Sequence, residues 1–208
     1  MKKKLIAIAA LSAVIVGFNV QTSFAATTAS QTVTATLPVI KSVTGKNIGL
    51  AANIDGDTGA LSSTLTPSFT IRTNTTSSQT LYLTALAPYS GGTEQALATS
   101  NGLTIALANT DPLNLPTQAA IQNVTGGSPV QANNSNVIGY NFIPQASTTG
   151  LALGTWDGTN KRFPYTLTKR GTTSLDNTIS TTAIANTYST DYDNAGDYKA
   201  TVTLSFAS

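Results

Sequence analysis

Apolar and polar side chains alternate along residues 30–40, close to the start of the chain. A period of two is typical of a β-strand with one apolar face. The polar face carries threonines and Pro38, whereas the apolar face consists of Val33, Ala35, Leu37 and Val39. Chain ends fray unless something holds them, so this strand needs an apolar groove, either in its own domain or in another molecule.

The C-terminal stretch, GDYKATVTLSFAS from residue 196, shows the clearest alternation in the chain. Its polar row contains a lysine, two threonines and a serine. Its apolar row consists of Tyr198, Ala200, Val202, Leu204 and Phe206. This stretch predicts a terminal β-strand.

Several shorter strands are predicted between these two ends. Residues 68–74 and 80–87 alternate on either side of a polar turn, which predicts a β-hairpin. Further strands are predicted at residues 103–108, 136–144 and 161–170. Turn-rich loops separate them, threonine is frequent, and we expect almost no helix. The pattern predicts an all-β fold, an antiparallel β-sandwich.

The first 25 residues have the pattern of a cleaved secretory signal peptide. Three lysines precede an apolar run at residues 5–18, and Ser23 and Ala25 fit the site that signal peptidase reads. Its removal would leave 8 of the 11 basic residues and all 9 acidic ones, a formal net charge of −1. We expect residues 26–40 to form an N-terminal extension and residues 41–208 one domain. No basic surface for nucleic acid remains.

Cysteine and histidine are both absent from the chain. Without cysteine, no disulfide holds this exported fold together. Without histidine, Ser-His-Asp triads, Cys-His pairs and the usual zinc sites are excluded. The acidic residues are scattered in turns and do not suggest a glycosidase pair. We therefore expect no enzymatic activity, no metal site and no cofactor.

Three stretches, taken in order, resemble a known family. Val33 to Pro38 follows the leader, strands run from Phe69 to Ala85, and an alternating strand runs from Gly196 to Phe206. This order is similar to that of chaperone–usher fimbrial major subunits, and most similar to the cysteine-free, colonisation-factor-like pilins of Gram-negative bacteria. The middle of the chain shows no resemblance, and Ala207 stands next to last, where many members of the wider family have an aromatic residue.

The resemblance implies an incomplete immunoglobulin-like sandwich that lacks its final strand. Residues 198–206 would line the vacant groove and bind a periplasmic chaperone. At an outer-membrane usher, residues 26–40 of an identical or related subunit would replace the chaperone by β-strand addition, with Pro38 shaping the exit of the strand. The implied function is that of a structural subunit of a surface fimbria that supports adhesion.

Two other interpretations stay open. Exposed together, Trp156, Arg162 and Tyr165 would form a platform for a host or surface glycan, as in a carbohydrate-binding module, although burial is the commoner fate of a lone tryptophan. Alternatively, the protein is a self-contained matrix or coat protein whose first strand folds back into its own sheet. Two acidic turns, at residues 53–59 and 191–198, only partly follow the spacing of a calcium loop, and we interpret both as turns.

Overall fold

The computed structural model describes residues 31–47, 50–98, 101–126 and 135–208. The predicted signal peptide and residues 26–30 lie outside this part of the chain. The described elements are β1 Lys41–Gly45, β2 Ser68–Thr73, β3 Gln79–Tyr89, β4 Gly92–Gln95, β5 Thr104–Asn109, α1 Gln118–Thr125, β6 Val137–Ile143, β7 Leu151–Leu153, β8 Phe163–Leu167, β9 Gly171–Asp176, β10 Thr178–Ala183, β11 Tyr198–Lys199 and β12 Thr201–Phe206.

Within the described residues, the strands form three sheets, and every pair is antiparallel. In the first sheet β2 lies between β1 and β9. The second sheet has the order β10-β6-β5-β11. The third has the order β12-β3-β8-β7, and β4 also pairs with β3. The predicted all-β class with antiparallel sheets is therefore confirmed.

The alternation along each strand decides which side chains enter the core. In β3, every second residue from Leu81 to Ala87 is fully buried, and the residues between them are partly or fully exposed. In β5 and β6 successive residues are buried, because α1 packs on these strands with Ile121 and Val124. Gly139 of β6 permits this approach, since a Cβ there would lie 3.0 Å from Val124 Cγ1. Each fully buried leucine or isoleucine contributes about 1.5–3 kcal/mol.

The predicted hairpin of β2 and β3 is wrong. Both strands form close to their predicted bounds, but β2 pairs with β1 and β9, whereas β3 pairs with β12, β8 and β4. Ile71 of β2 and Leu81 of β3 belong to the same hydrophobic core. A strand with one apolar face can bury that face in this core from either sheet. Its pattern therefore predicts a strand but not the neighbouring strand with which it pairs.

The strands predicted at residues 103–108, 136–144 and 161–170 are confirmed as β5, β6 and β8. The loop predicted between β5 and β6 contains α1 instead. Thr117 caps this helix, because its hydroxyl accepts a hydrogen bond from the backbone N–H of Ala120 at 3.2 Å. The helix has only 8 residues, too few for its apolar period to stand out in the sequence.

The strands β9 and β10 are a second omission, because threonine and serine dominate their sequence. Between them lies Asn177, which is fully buried. Its side-chain amide donates to the Pro67 carbonyl oxygen at 3.0 Å and accepts from the Gln145 N–H at 3.2 Å. Asn177 lies where the chain passes from β9 in the first sheet to β10 in the second. Its hydrogen bond to Pro67 holds this point against the segment that precedes β2.

Candidate functional site

The C-terminal segment is a sheet edge with one unpaired side. Ala207 N donates to Thr80 O at 2.8 Å, and Thr110 N donates to Asp197 O at 2.8 Å. Backbone groups point to alternate sides along an antiparallel strand, so the odd-numbered residues face β5 and β3. The backbone groups of Val202, Leu204 and Phe206 in β12 point to the opposite side. No described strand pairs with that side.

The strand β1 is a second edge of the same kind. Lys46 N donates to Ser68 O at 2.8 Å, and Asn74 N donates to Ile40 O at 3.3 Å. The even-numbered residues of β1 therefore face β2, and the backbone groups of Val43 point away from it. Among the described strands, β1 has no second partner. Another chain can add a strand at such an edge.

A cleft of about 260 Å³, lined by apolar side chains and by Asn47, Ser68 and Lys199, lies between the two edges. Gly45 of β1 and Phe69 of β2 line it from the first sheet, and Leu107 and Ile179 line it from the second. The C-terminal segment contributes Tyr198, Ala200 and Val202. We call the space between β1 and residues 198–206 the edge cleft.

A wider depression of about 660 Å³ continues the edge cleft toward the start of the C-terminal segment. It shares Leu65, Leu107 and Tyr198 with the cleft and extends to Gly196. Residues 50–54 form its other side. The accessible groove therefore follows the C-terminal segment past β12 and along β11.

The structure places the predicted acceptor row along this groove. Three of its residues line the cleft, Leu204 is buried, and Phe206 packs against the core. The row is divided between two sheets, because β11 pairs with β5, β12 pairs with β3, and Ala200 lies between them. Burial raises the pKa of Tyr198 to about 12, and its hydroxyl donates to the Asn194 carbonyl oxygen at 2.8 Å.

The predicted donor residues are open to solvent. Residues 31–40 belong to no described strand. Val33, Leu37 and Val39 are 89%, 77% and 67% exposed, and Ala35 is exposed as well. Such a row of uncovered apolar side chains at period two is suited to insertion between two unpaired strand edges.

Asn74 fixes the point at which the chain enters β1. Its side-chain amide donates to the Pro38 carbonyl oxygen at 2.8 Å, and its Oδ1 accepts from the Ile40 N–H at 2.7 Å. The backbone of Asn74 also bonds to Ile40, which continues the β1–β2 ladder by one residue pair. Residues 38–40 are therefore held beside Asn74 where they lead into β1 at Lys41.

The predicted sugar platform is not assembled, because Tyr165 is fully buried. Its hydroxyl donates to the Gln145 carbonyl oxygen at 2.9 Å. Trp156 is half-buried, and its ring packs on Phe163 with the ring centroids 4.8 Å apart. Alternation along β8 turns Phe163 and Tyr165 into the core together, and this removes Tyr165 from any exposed surface.

Arg162, the third predicted platform residue, is held by its own neighbours. Its Nε donates to Asp157 Oδ2 at 3.0 Å, and its guanidinium lies 3.5 Å from the centroid of the Tyr82 ring. Hydrogen bonds from Asn160, followed by this contact with Arg162, hold the pKa of Asp157 below its usual value. Arg162 therefore bridges a turn and the face of β3.

The acidic stretch at residues 53–59 is a turn, as predicted. Asp55 Oδ1 accepts from the Thr58 hydroxyl at 2.7 Å, from Thr58 N at 2.8 Å and from Asp57 N at 3.1 Å. These bonds, led by the Thr58 hydroxyl, hold the pKa of Asp55 below its usual value. The carboxylate is used to close the turn.

A polar cluster missed by the sequence interpretation anchors the loop before the C-terminal segment. Asp193 accepts from the Ser135 hydroxyl at 3.0 Å, from Asn136 N at 2.8 Å and from Ser189 N at 2.9 Å. Asn136, at φ 52°, accepts from Asn194 N at 2.9 Å. Both stretches are rich in Asn and Asp, which predicts exposed turns and gives no signal that the turns bond to each other.

Comparison of the chain with protein-family models, with curated proteins and with solved structures finds no match. In the part of the chain that the structure describes, no helix is long and apolar enough to cross a membrane.

Proposed function

We propose that this protein is a structural subunit of a bacterial surface fimbria, exported through the periplasm and polymerised by donor-strand exchange. Residues 26–40 of one subunit enter the edge cleft of the next and complete an immunoglobulin-like sandwich. The observation that supports this most is the pair of unpaired edges, β1 and β12, with a partly apolar cleft between them. The exposed apolar row of Val33, Ala35, Leu37 and Val39 is the matching element on the same chain.

The dimensions of the two rows agree. At about 3.3 Å per residue, Val33 to Val39 spans about 20 Å, and residues 198–206 span about 26 Å. Both rows have a period of two, so one insertion register brings all four donor side chains to the same face. Burial contributes about 1.5–3 kcal/mol for each valine or leucine, and each new backbone hydrogen bond adds about 1 kcal/mol.

Donor and acceptor surfaces differ, so this association is heterologous and builds an open filament rather than a closed ring. Before assembly, the two unpaired edges would invite aggregation. A periplasmic chaperone that covers the cleft, and an outer-membrane usher that exchanges it for the next subunit, are therefore the partners that the proposal requires.

Deletion of residues 26–40 tests this proposal. Electron microscopy should show no filaments, whereas the shortened protein should still accumulate as a folded monomer in complex with the chaperone. Leu37→Ser with Val39→Ser should weaken assembly strongly, and Thr34→Ser with Thr36→Ser, on the polar face of the same segment, is the matched control. Filaments formed by the deletion variant would contradict donor-strand exchange through this segment.

Neither alternative has an observation in its favour. The carbohydrate platform loses Tyr165 to the core. The self-contained coat protein requires a first strand at residues 30–40, whereas residues 31–40 belong to no described strand.

A further inference from the structure

Most charged side chains that do not form ion pairs fall into two groups. Beyond the predicted leader, all charged residues lie in the described part of the chain. Three basic residues pair with three acidic ones there, as Lys46 with Asp176, Lys161 with Glu94, and Arg162 with Asp157. Most of the remaining positive charges lie near one end of the C-terminal segment, and most of the remaining negative charges lie near its other end.

The first group, which we call the basic pole, consists of Lys41, Arg72, Lys169 and Arg170. All four are exposed, and none pairs with a carboxylate in the described residues. Arg72 and Arg170 line one shallow depression together with Ile40. The basic pole therefore surrounds the point where the donor segment joins β1.

The second group, which we call the acidic pole, consists of Asp55, Asp57, Asp191 and Asp197, together with Asp193, which is held by hydrogen bonds from Ser135, Asn136 and Ser189. Tyr188 connects its two loops, since its hydroxyl donates to Gly56 O within the turn of Asp55 and Asp57. Asp193 bonds to Ser189 next to that tyrosine. Burial is the largest cause of the raised pKa of Tyr188, and the nearby charges of Asp193, Asp57 and Asp55 raise this pKa further.

The two poles lie at opposite ends of the edge cleft. Phe206 is at the basic pole, because the Lys41 ammonium lies 5.8 Å from its ring centroid. Asp197 is at the other end of the C-terminal segment. The nine residue steps between them, at about 3.3 Å each, correspond to about 30 Å. Lys199 lies beside the cleft. Among the basic residues that the structure describes, it alone belongs neither to the basic pole nor to an ion pair.

We propose that the acidic pole is the docking surface for the basic pole of a second copy of this chain. The proposal rests on donor-strand exchange, in which the body of the incoming subunit follows directly after Ile40, at its own basic pole. A donor strand antiparallel to β12 places this Ile40 beside Asp197 of the acceptor, so opposite charges meet. A parallel donor would place it beside Phe206, where two basic poles would repel each other.

The sequence separates this contact from strand insertion itself. Residues 26–40 contain no charged side chain. A capped peptide of these residues therefore tests the cleft without the poles, whereas an intact subunit tests both. Charge complementarity acts mainly on the rate of association and is screened by salt.

The test uses two charge-reversed variants of the mature chain, residues 26–208. One carries Arg72→Glu and Arg170→Glu, and the other carries Asp57→Lys and Asp191→Lys; none of these side chains forms an ion pair in the described residues. Both should capture the capped peptide as the wild type does, measured by fluorescence anisotropy. Each variant alone should assemble about tenfold more slowly or worse, measured by light scattering at low salt.

A mixture of the two variants should assemble faster than either variant alone, because it contains a junction that joins the unchanged basic pole of one variant to the unchanged acidic pole of the other. The wild-type rate itself should fall between about 20 mM and about 500 mM salt, whereas peptide capture should not. A further pair of variants controls for net charge. Arg72→Gln with Arg170→Gln and Thr201→Glu with Thr203→Glu both change the net charge by −2, but the two threonines lie at exposed positions between the poles. The threonine variant should assemble faster than the matched arginine variant.

The two proposals fail in different ways. If the wild type captures the peptide and both reversed variants assemble at its rate, charge pairing is overturned and donor-strand exchange stands. If the wild type captures no peptide, donor-strand exchange through this cleft fails, and the docking surface fails with it.

Discussion

The ammonium nitrogen of Lys41 lies 5.8 Å from the centroid of the Phe206 ring, so a side chain of β1 reaches the last residue of β12. This contact joins the two unpaired edges at one end of the edge cleft. Toward the other end, Gly45 and Val202 both line open space. A strand inserted between β1 and β12 needs the two edges about 10 Å apart, so insertion along the full groove would have to release this contact.

Replacement of Lys41 by methionine tests the strength of the contact, because it removes the charge and keeps the aliphatic stem. We expect the free energy of unfolding to fall by about 0.5–1 kcal/mol, the usual value of an exposed cation–π contact. Urea unfolding of K41M, F206L and the double variant measures the coupling between the two residues. K169M is the control, and a coupling of zero would show that the contact adds no stability.

Gly102 is predicted to be intolerant of any side chain. It has φ 69°, and a Cβ there would lie 2.5 Å from Trp156 Cε3 and 2.6 Å from Phe163 Cζ. Gly102→Ala should therefore lower the free energy of unfolding by about 2–4 kcal/mol, through backbone strain and overpacking. The tryptophan fluorescence should change as well, since Trp156 is the only tryptophan.

Gly56→Ala is the matched control for Gly102, because no atom lies within 4 Å of its added Cβ. Its unfolding free energy should stay within about 0.5 kcal/mol of the wild type. Equal effects of the two substitutions would mean that the packing of Trp156 against Phe163 does not constrain this turn.

The strands that could be predicted are those with one face in the core and the other toward solvent. Alternation in β3 and β12 reports this asymmetry directly, and the buried residues of β3 recur at every second position. Pairing could not be predicted, because a strand that ends at Thr73 buries Ile71 equally well whichever sheet it joins. The β9–β10 crossing depends on one buried amide, Asn177, which resembles any other turn residue in the sequence.

The candidate site was only partly predictable for the same reason. The apolar row from Tyr198 to Phe206 is visible in the sequence, whereas the unpaired edges depend on which strands pair elsewhere. The burial of Tyr165 did carry a signal, since Phe163, Tyr165 and Leu167 share one face of β8. The platform, held as an alternative because Trp156, Arg162 and Tyr165 lie close in the sequence, did not use this alternation, which places Tyr165 in the core.

Asn177 should contribute more to stability than any exposed asparagine of the chain. Asn177→Ala leaves the partly buried N–H of Gln145 without its acceptor and removes the buried side-chain bond to Pro67 O. We expect the free energy of unfolding to fall by about 2–4 kcal/mol. The control Asn160→Ala, which loses an exposed bond to Asp157, should cost less than about 1 kcal/mol. Equal urea midpoints for the two variants would contradict this role.

Between pH 3 and pH 8, the dependence of stability on pH should lie on the acid side of neutrality. Hydrogen bonds from Ser68 and then Lys46 lower the pKa of Asp176, and a hydrogen bond from Gln118 lowers the pKa of Glu94. Their ordinary values are 3.8 and 4.5. A carboxyl group whose pKa is lower in the folded state stabilises the fold above its unfolded pKa, and this contribution is lost as the pH falls through the folded pKa.

Urea midpoints measured from pH 3 to pH 8 should therefore decline below about pH 4.5 and stay level between about pH 5.5 and pH 8, where a chain without histidine has no side chain with an ordinary pKa. Asp176→Asn should flatten part of the acid decline, because the substituted side chain no longer takes up a proton. The control is Asp197→Asn, an exposed aspartate that forms no ion pair in the described residues, and it should leave the decline nearly unchanged. A transition centred near pH 6.5, or an acid decline that Asp176→Asn does not alter, would show that other groups control the stability of the fold.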